Sequence, residues 1–224
     1  MYNPNAFPSY QLMRSPQQNS FSLKVLGEGT VSIQPNRAII SLGVVTEDQN
    51  LQQAQQTNAQ TSSNVISAVR QYVSNDQIQT RTYRIDIQYD YKDGEQIFRG
   101  YRVTNIIDVT IDQIDQVAPL IDSAVSSGAN TVKNIQMTVS NPSTYKQQAL
   151  QKAIQNAQEK AKLVGETLNI SIQTIPYQIK ERIQPEDDRP RNLVLGISTE
   201  SPTTPIEPGL LEVTSVVEAK FTTS

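Results

Sequence analysis

The chain has 224 residues with no cysteine and no histidine, which excludes disulfides, thiolate or imidazole metal sites, cysteine nucleophiles and every catalytic triad built on a histidine base. Its 19 basic and 22 acidic side chains leave a net charge of -3, so there is no general attraction to nucleic acid or to an anionic membrane surface. Hydrophobic residues make up 37% of the chain, enough for one domain with a core of its own.

Residues 1–20 mix Asn, Pro, Ser, Gln and Tyr, with Arg14 as the one charged side chain. This reads as a disordered leader; it lacks the basic start and apolar run of a secretory signal. Nowhere does an apolar stretch approach the roughly 20 residues that cross a bilayer as a helix. A single domain is expected over residues 21–224.

Leu23, Val25, Val31 and Ile33 surround Gly27-Glu28-Gly29, which predicts a first strand bent or bulged at the glycines. Ala38 to Thr46, rich in Ile, Leu and Val, is a second strand. From Asp48 to Val73 the period changes: Leu51, Ala54, Val65, Val69 and Val73 share one side of a helix whose first half is padded with glutamine, asparagine and serine. Residues 83–91 alternate Tyr83, Ile85, Ile87, Tyr89 and Tyr91 with Arg84, Asp86, Gln88 and Asp90, the clearest strand pattern in the chain. Asp93-Gly94 is a hairpin turn, and Ile97 to Ile111 is the return strand. A second helix is expected over Gln113 to Ser126, and Pro119 within it requires either a start nearer Gln116 or a kink.

Gly128-Ala129-Asn130 suits a left-handed helix cap, and Val132 to Val139 is a short strand. Leu150, Ala153, Ile154, Ala157, Ala161, Val164 and Leu168 then hold helical spacing over five turns, with alanines small enough for close packing on a sheet. Strands follow at Ile170 to Ile183 and Leu210 to Thr222. Residues 184–208, with five prolines and the run Glu186, Asp187, Asp188, read as an exposed excursion.

Residues 37–140 therefore run strand, helix, strand, strand, helix, strand, the order of a ferredoxin-like βαββαβ unit. The expected class is α+β: a mainly antiparallel sheet, extended by the N- and C-terminal strands, with helices largely on one face.

Across residues 23–222 the chain resembles the SIMPL domain family, whose bacterial members include periplasmic immunogenic and oxidative-stress defence proteins. The resemblance runs through Val25, Gly27, Gly29, Val31, Pro35 and Ala38, then Ile78-Gln79-Thr80, Tyr89, Gly100-Tyr101, Val103 and Asn105. It continues through Gly128-Ala129-Asn130 and Lys160-Ala161, and closes on Pro205, Pro208-Gly209 and Val213. It implies an α+β domain with no established catalytic activity and no cofactor, and, in at least one branch, large hollow homo-oligomers. It also implies export to the periplasm or envelope, whereas the leader points to a cytoplasmic or non-classically surface-located chain.

Tyr83, Tyr89, Tyr91, Phe98 and Tyr101 gather on one ribbon of a chain that has nine tyrosines and four phenylalanines. They are read either as core filler or as a subunit interface, where rigid amphipathic rings are favoured. Leu211 and Val213 join them as candidates, the C-terminal strand being read as an open sheet edge. The expected partner is the chain itself, or other proteins.

Arg99-Gly100-Tyr101 on the third strand of the unit is similar to an RNA recognition signature, making the 83–105 hairpin with Arg84, Arg99 and Arg102 an alternative nucleic-acid site. Its further aromatics are missing, so nucleic acid is not the expected partner. Asp90, Asp93, Gly94 and Glu95 lack calcium-loop spacing, and a carboxylate-based hydrolase remains an alternative for which no residue pair stands out. No metal, cofactor or catalytic residue is assigned. The chain has 26 glutamines, and Gln52, Gln53, Gln55, Gln56 and Gln60 read as an uncharged solvent face of one helix.

Overall fold

The strand Arg37–Asp48 (β2) has the sequence of a strand buried on one face, and the structure, a computed structural model describing residues 22–182, 191–193, 206 and 208–223, sets it inside a four-stranded sheet. Ala38, Ile40, Leu42 and Val44 point to that face and are fully buried. The other members are β3 (Ile78–Lys92), β4 (Glu95–Ile111) and β5 (Thr131–Thr138), in the order β3-β4-β2-β5 with every neighbouring pair antiparallel. Helices α1 (Leu51–Val69) and α2 (Val117–Ser126) cover the apolar face, where Val65, Val69, Val117, Leu120, Ile121 and Ala124 meet Ile107, Val109 and Ile111. Asn50 caps α1 by accepting from the Gln53 backbone N–H at 3.2 Å. Pro119 falls in the first turn of α2, where its missing N–H costs no helical bond, and residues 114–116 form a 3-10 turn before it. Gly128 follows that helix at φ +108°.

The terminal strands, expected to lengthen this sheet, pair with each other in a second antiparallel sheet. Here β1 (Ser22–Ile33) lies along the whole of β8 (Leu210–Thr222), and β8 is joined on its other side by β6 (Gln178–Glu181) and β7 (Arg191–Leu193). Between Ile170 and Ile183 the structure holds less strand than expected, β6 and one bridge from Ile172 to Thr223. Of the proline-rich excursion 184–208, β7 pairs with Leu210, Leu211 and Glu212; most of the rest, with the leader 1–20, lies outside the described residues.

Helix α3 (Pro142–Leu168) covers the second sheet with a stripe of small residues: Ala149, Ala153, Ala157, Ala161 and Gly165. The predicted bulge at Gly27 and Gly29 is absent, and the two stay in register with Val217 and Ser215. The glycines serve helix approach instead. A Cβ on Gly27 would lie 2.0 Å from the Ala153 carbonyl oxygen, and one on Gly29 would lie 2.2 Å from that of Ala149. The alanine stripe was legible as a packing face; what it packs against is a stretch of bare backbone.

The same helix finishes the outer edge of β1. Lys152 Nζ donates to the Thr30 carbonyl at 3.0 Å, Asn156 Oδ1 accepts from the Glu28 N–H at 3.1 Å, and Lys160 Nζ donates to the Leu26 carbonyl at 2.7 Å. Four helical residues advance about 6.0 Å and two strand residues about 6.8 Å. Side chains at i, i+4 and i+8 therefore track alternate strand residues, and α3 takes the place of a neighbouring strand.

Candidate functional site

The β3–β4 hairpin turns at Asp93 and Gly94, with φ of 52° and 85°, the paired positive values of a type I′ turn and the reason Asp-Gly is favoured there. Tyr83, Ile85, Ile87, Tyr89 and Tyr91 alternate onto one face. On β4 a regular pleat would send Phe98 and Tyr101 to opposite faces. The register shift between Gln88 and Tyr89 leaves Arg99 as an extra residue, so Tyr89 stands opposite Phe98 while Ile87 stands opposite Tyr101. The irregularity therefore gathers the rings: Tyr89 and Phe98 have centroids 6.3 Å apart at 77°, and Phe98 and Tyr101 5.3 Å apart at 67°, both edge-to-face arrangements. Gly100, at φ +153°, lies where a Cβ would come within 2.7 Å of the Asp48 carbonyl oxygen. That close approach explains the glycine of the Arg-Gly-Tyr signature without RNA.

Towards the sheet interior this face is core. Val103 opposes Ile85 and is fully buried, and Gln55 on α1 donates to the Tyr83 hydroxyl at 3.4 Å. Outward, the helices no longer cover it: Tyr83 is 55% exposed, Ile87 50%, Tyr89 43%, Phe98 47% and Tyr91 76%. Tyr101 is half-buried. All five predicted aromatic candidates are thus brought together on a face that runs from core to solvent.

The opposite face is polar and ion-paired. Arg84 meets Asp86 at 2.7 Å, Arg102 meets Glu47 at 2.6 Å, and Arg99 lies 3.7 Å from both Glu47 and Asp90. Each arginine of the alternative nucleic-acid stripe has a carboxylate beside it. No group of three or more acidic side chains placed to hold a metal occurs among the described residues; Glu186, Asp187 and Asp188 lie outside them. An open groove of about 150 Å³ between the end of α3 and residues 170–174 is lined by Lys162 and Glu166 among others, and those two pair at 3.8 Å. It is about half the smallest usual ligand pocket of roughly 300 Å³.

Leu211 and Val213 require correction. Both are buried, Leu211 completely and within the main core, and β8 is a central strand flanked by β1 on one side and by β6 and β7 on the other. Apolar alternation on a terminal segment is equally the pattern of an inner strand, and only pairing distinguishes them.

Several polar residues hold the frame, and of these Asn130 alone stood out in the sequence, as part of a helix cap. Asn58, buried on α1, donates to the Val44 and Val103 carbonyls at 3.1 Å each, tying the helix to β2 and β4. Asn130 accepts from the Val45 N–H at 2.8 Å and donates to the Val45 carbonyl at 2.7 Å, continuing the β2–β5 pairing with a side chain. Glu218 on β8, only 8% exposed, binds Lys24 of β1 at 2.9 Å and Arg182 just after β6. The Arg182 and Lys24 hydrogen bonds hold its carboxyl at about 2, below the usual 4.5, against the opposing effect of burial. Asn58 does sit at helical spacing from Ala54 and Val65, a signal masked by its polarity.

The architecture defines an α+β protein of two antiparallel sheets with an exposed aromatic hairpin. Residues 23–221 match SIMPL, a family described as protein of unknown function (DUF541), and the chain belongs to that family. Among similar curated proteins, the uncharacterized protein YggE of Escherichia coli K12 is 36% identical over 80 residues that cover 36% of this chain and 32% of that protein. YggE of Edwardsiella ictaluri is 29% identical over 105 residues, covering 45% and 44% of the two chains. The 26 kDa periplasmic immunogenic protein of Brucella abortus is 26% identical over 170 residues, covering 73% and 67%. The matched region thus spans about a third of the E. coli protein and about two thirds of the Brucella one.

Proposed function

We propose that this is a non-enzymatic, self-associating protein with a scaffolding or stress-protective role in or near the bacterial envelope. The observation that carries the reading is the aromatic face of the hairpin. It is continuous with the core, loses its helical cover at Tyr83, and ends in the rings of Tyr89, Phe98 and Tyr91, which are 43%, 47% and 76% exposed. Exposed apolar surface of that extent is the mark of an interaction site, and tyrosine offers large contact area at low entropic cost. The envelope location is supported by the Brucella relatives, which are named as periplasmic. That the nearby arginines are already paired with carboxylates argues against an RNA-binding hairpin.

The test replaces Tyr89 and Tyr91 by serine, substitutions on exposed side chains that leave the buried core alone. Native mass spectrometry and light scattering of the wild-type chain are expected to show species larger than 24.9 kDa, and the double variant is expected to shift at least tenfold towards monomer. A wild-type chain that stays monomeric at high concentration overturns the reading; an oligomer unchanged by the substitutions removes this face from it.

A further inference from the structure

The two sheets treat their outer strands differently. The outer backbone of β1 is occupied at Leu26, Glu28 and Thr30 by side chains of α3. In the other sheet β3 and β5 are the outer strands, β3 the longer at 15 residues against 8, and among the described residues no hydrogen bond reaches the β3 backbone between Thr82 and Lys92 except from β4. A long strand edge with unpaired N–H and C=O groups is a template for another strand. What that strand must be is written in β3 itself.

We propose that the outer edge of β3 pairs with β3 of a second copy of this chain, antiparallel about a two-fold axis at Ile85. This rests on the self-association reading and specifies its geometry. Ile85 is the midpoint of Ile78–Lys92, and also of Thr82–Gln88, the stretch that runs unbroken between the two register irregularities of the hairpin. In that register Arg84 stands opposite Asp86 of the second copy and Asp86 opposite its Arg84, so charge is complementary at both symmetry-related positions. On the apolar face Tyr83 opposes Ile87, an aromatic and β-branched pair of the kind favoured across strands, and Ile85 opposes itself. Moving the axis by one residue, which slides the strands by two, sets Asp86 against Asp86 or Arg84 against Arg84, like charges directly opposed. The even register also keeps both aromatic faces on one side of the joined sheet, merging them into a single larger surface.

The chain has no native cysteine, so Ile85→Cys gives an unambiguous probe. Directly opposed residues of an antiparallel pair have Cα atoms about 4.5–5.5 Å apart, within the roughly 4.4–6.8 Å that a disulfide spans. Mild oxidation is expected to convert most of the variant to a species of twice the chain mass. Tyr91→Cys, whose opposite residue in this register is Gln79 of the other copy, is expected to stay uncrosslinked. In the unmodified chain, alternate amides between Thr82 and Gln88 are expected to exchange at least tenfold more slowly at associating concentration than at dilution. A protein that associates, yet neither crosslinks as the Ile85→Cys variant nor protects those amides, overturns the edge pairing and leaves self-association standing. Equal crosslinking of both cysteine variants overturns the register, and a strictly monomeric chain overturns both readings.

Discussion

Glu218 shows how one side chain can tie three strands together. Its carboxylate sits on β8 between Lys24 of β1 and Arg182 beyond β6, partners 194 and 36 positions away in sequence, so no local pattern announced it. Because its folded-state value is about 2 against the usual 4.5, the ionised carboxylate favours the fold. That contribution is complete above pH 4.5 and is lost as pH falls from there towards 2. Replacing Glu218 by glutamine removes the dependence. Melting temperatures of the two proteins are expected to differ most at pH 6 and to converge near pH 2, and parallel curves across that window would show that this carboxylate does not couple to folding. Asn58 belongs to the same scale, a buried amide whose two donated bonds fix α1 to β2 and β4.

At the scale of elements the informative pair is α3 and β1. The alanine spacing of α3 was plain in sequence, as were Gly27 and Gly29, yet the glycines read as a bulge because a glycine inside a strand weakens it and marks a bend. The competing use, close approach of another backbone, decides the matter here, with the Ala153 and Ala149 carbonyls occupying the space a Cβ would need. Gly27→Ala therefore forces the helix off the sheet and is expected to cost about 3 kcal/mol, read as a lower urea midpoint at unchanged slope. A loss below about 0.5 kcal/mol, the size of an ordinary surface substitution, would show that α3 is not held against this strand. The hairpin was legible in the same terms, since Asp93-Gly94 and the alternation of tyrosines fix its turn and faces. The gathering of Phe98 with Tyr101 was not, because the extra residue at Arg99 has no signature of its own.

For the molecule as a whole, the arrangement of edges matters most. One sheet has its long outer strand β1 lined by α3 and the far side of β8 taken by the short strands β6 and β7, while the other has β3 and β5 as outer strands, with β3 the longer and, among the described residues, unlined. Converting Lys152, Asn156 and Lys160 to alanine opens the edge of β1 as well. The triple variant is expected to keep its secondary structure and to form aggregates larger than the wild-type assembly, seen by light scattering within hours at concentrations where the parent is stable. A variant that scatters like the parent would show that the side-chain row is not what protects β1. Sequence alone determined the α+β class, the positions of the main helices and strands, the hairpin turn and the aromatic ribbon, because each follows from periodicity and turn chemistry within a few neighbouring residues. Only the tertiary structure decided that the terminal strands build a separate sheet, that Leu211 and Val213 are interior, and that β3 is a long outer strand. Strand pairing joins residues as far apart as Ser22 and Thr222, and an inner and an outer strand can carry the same alternation of side chains.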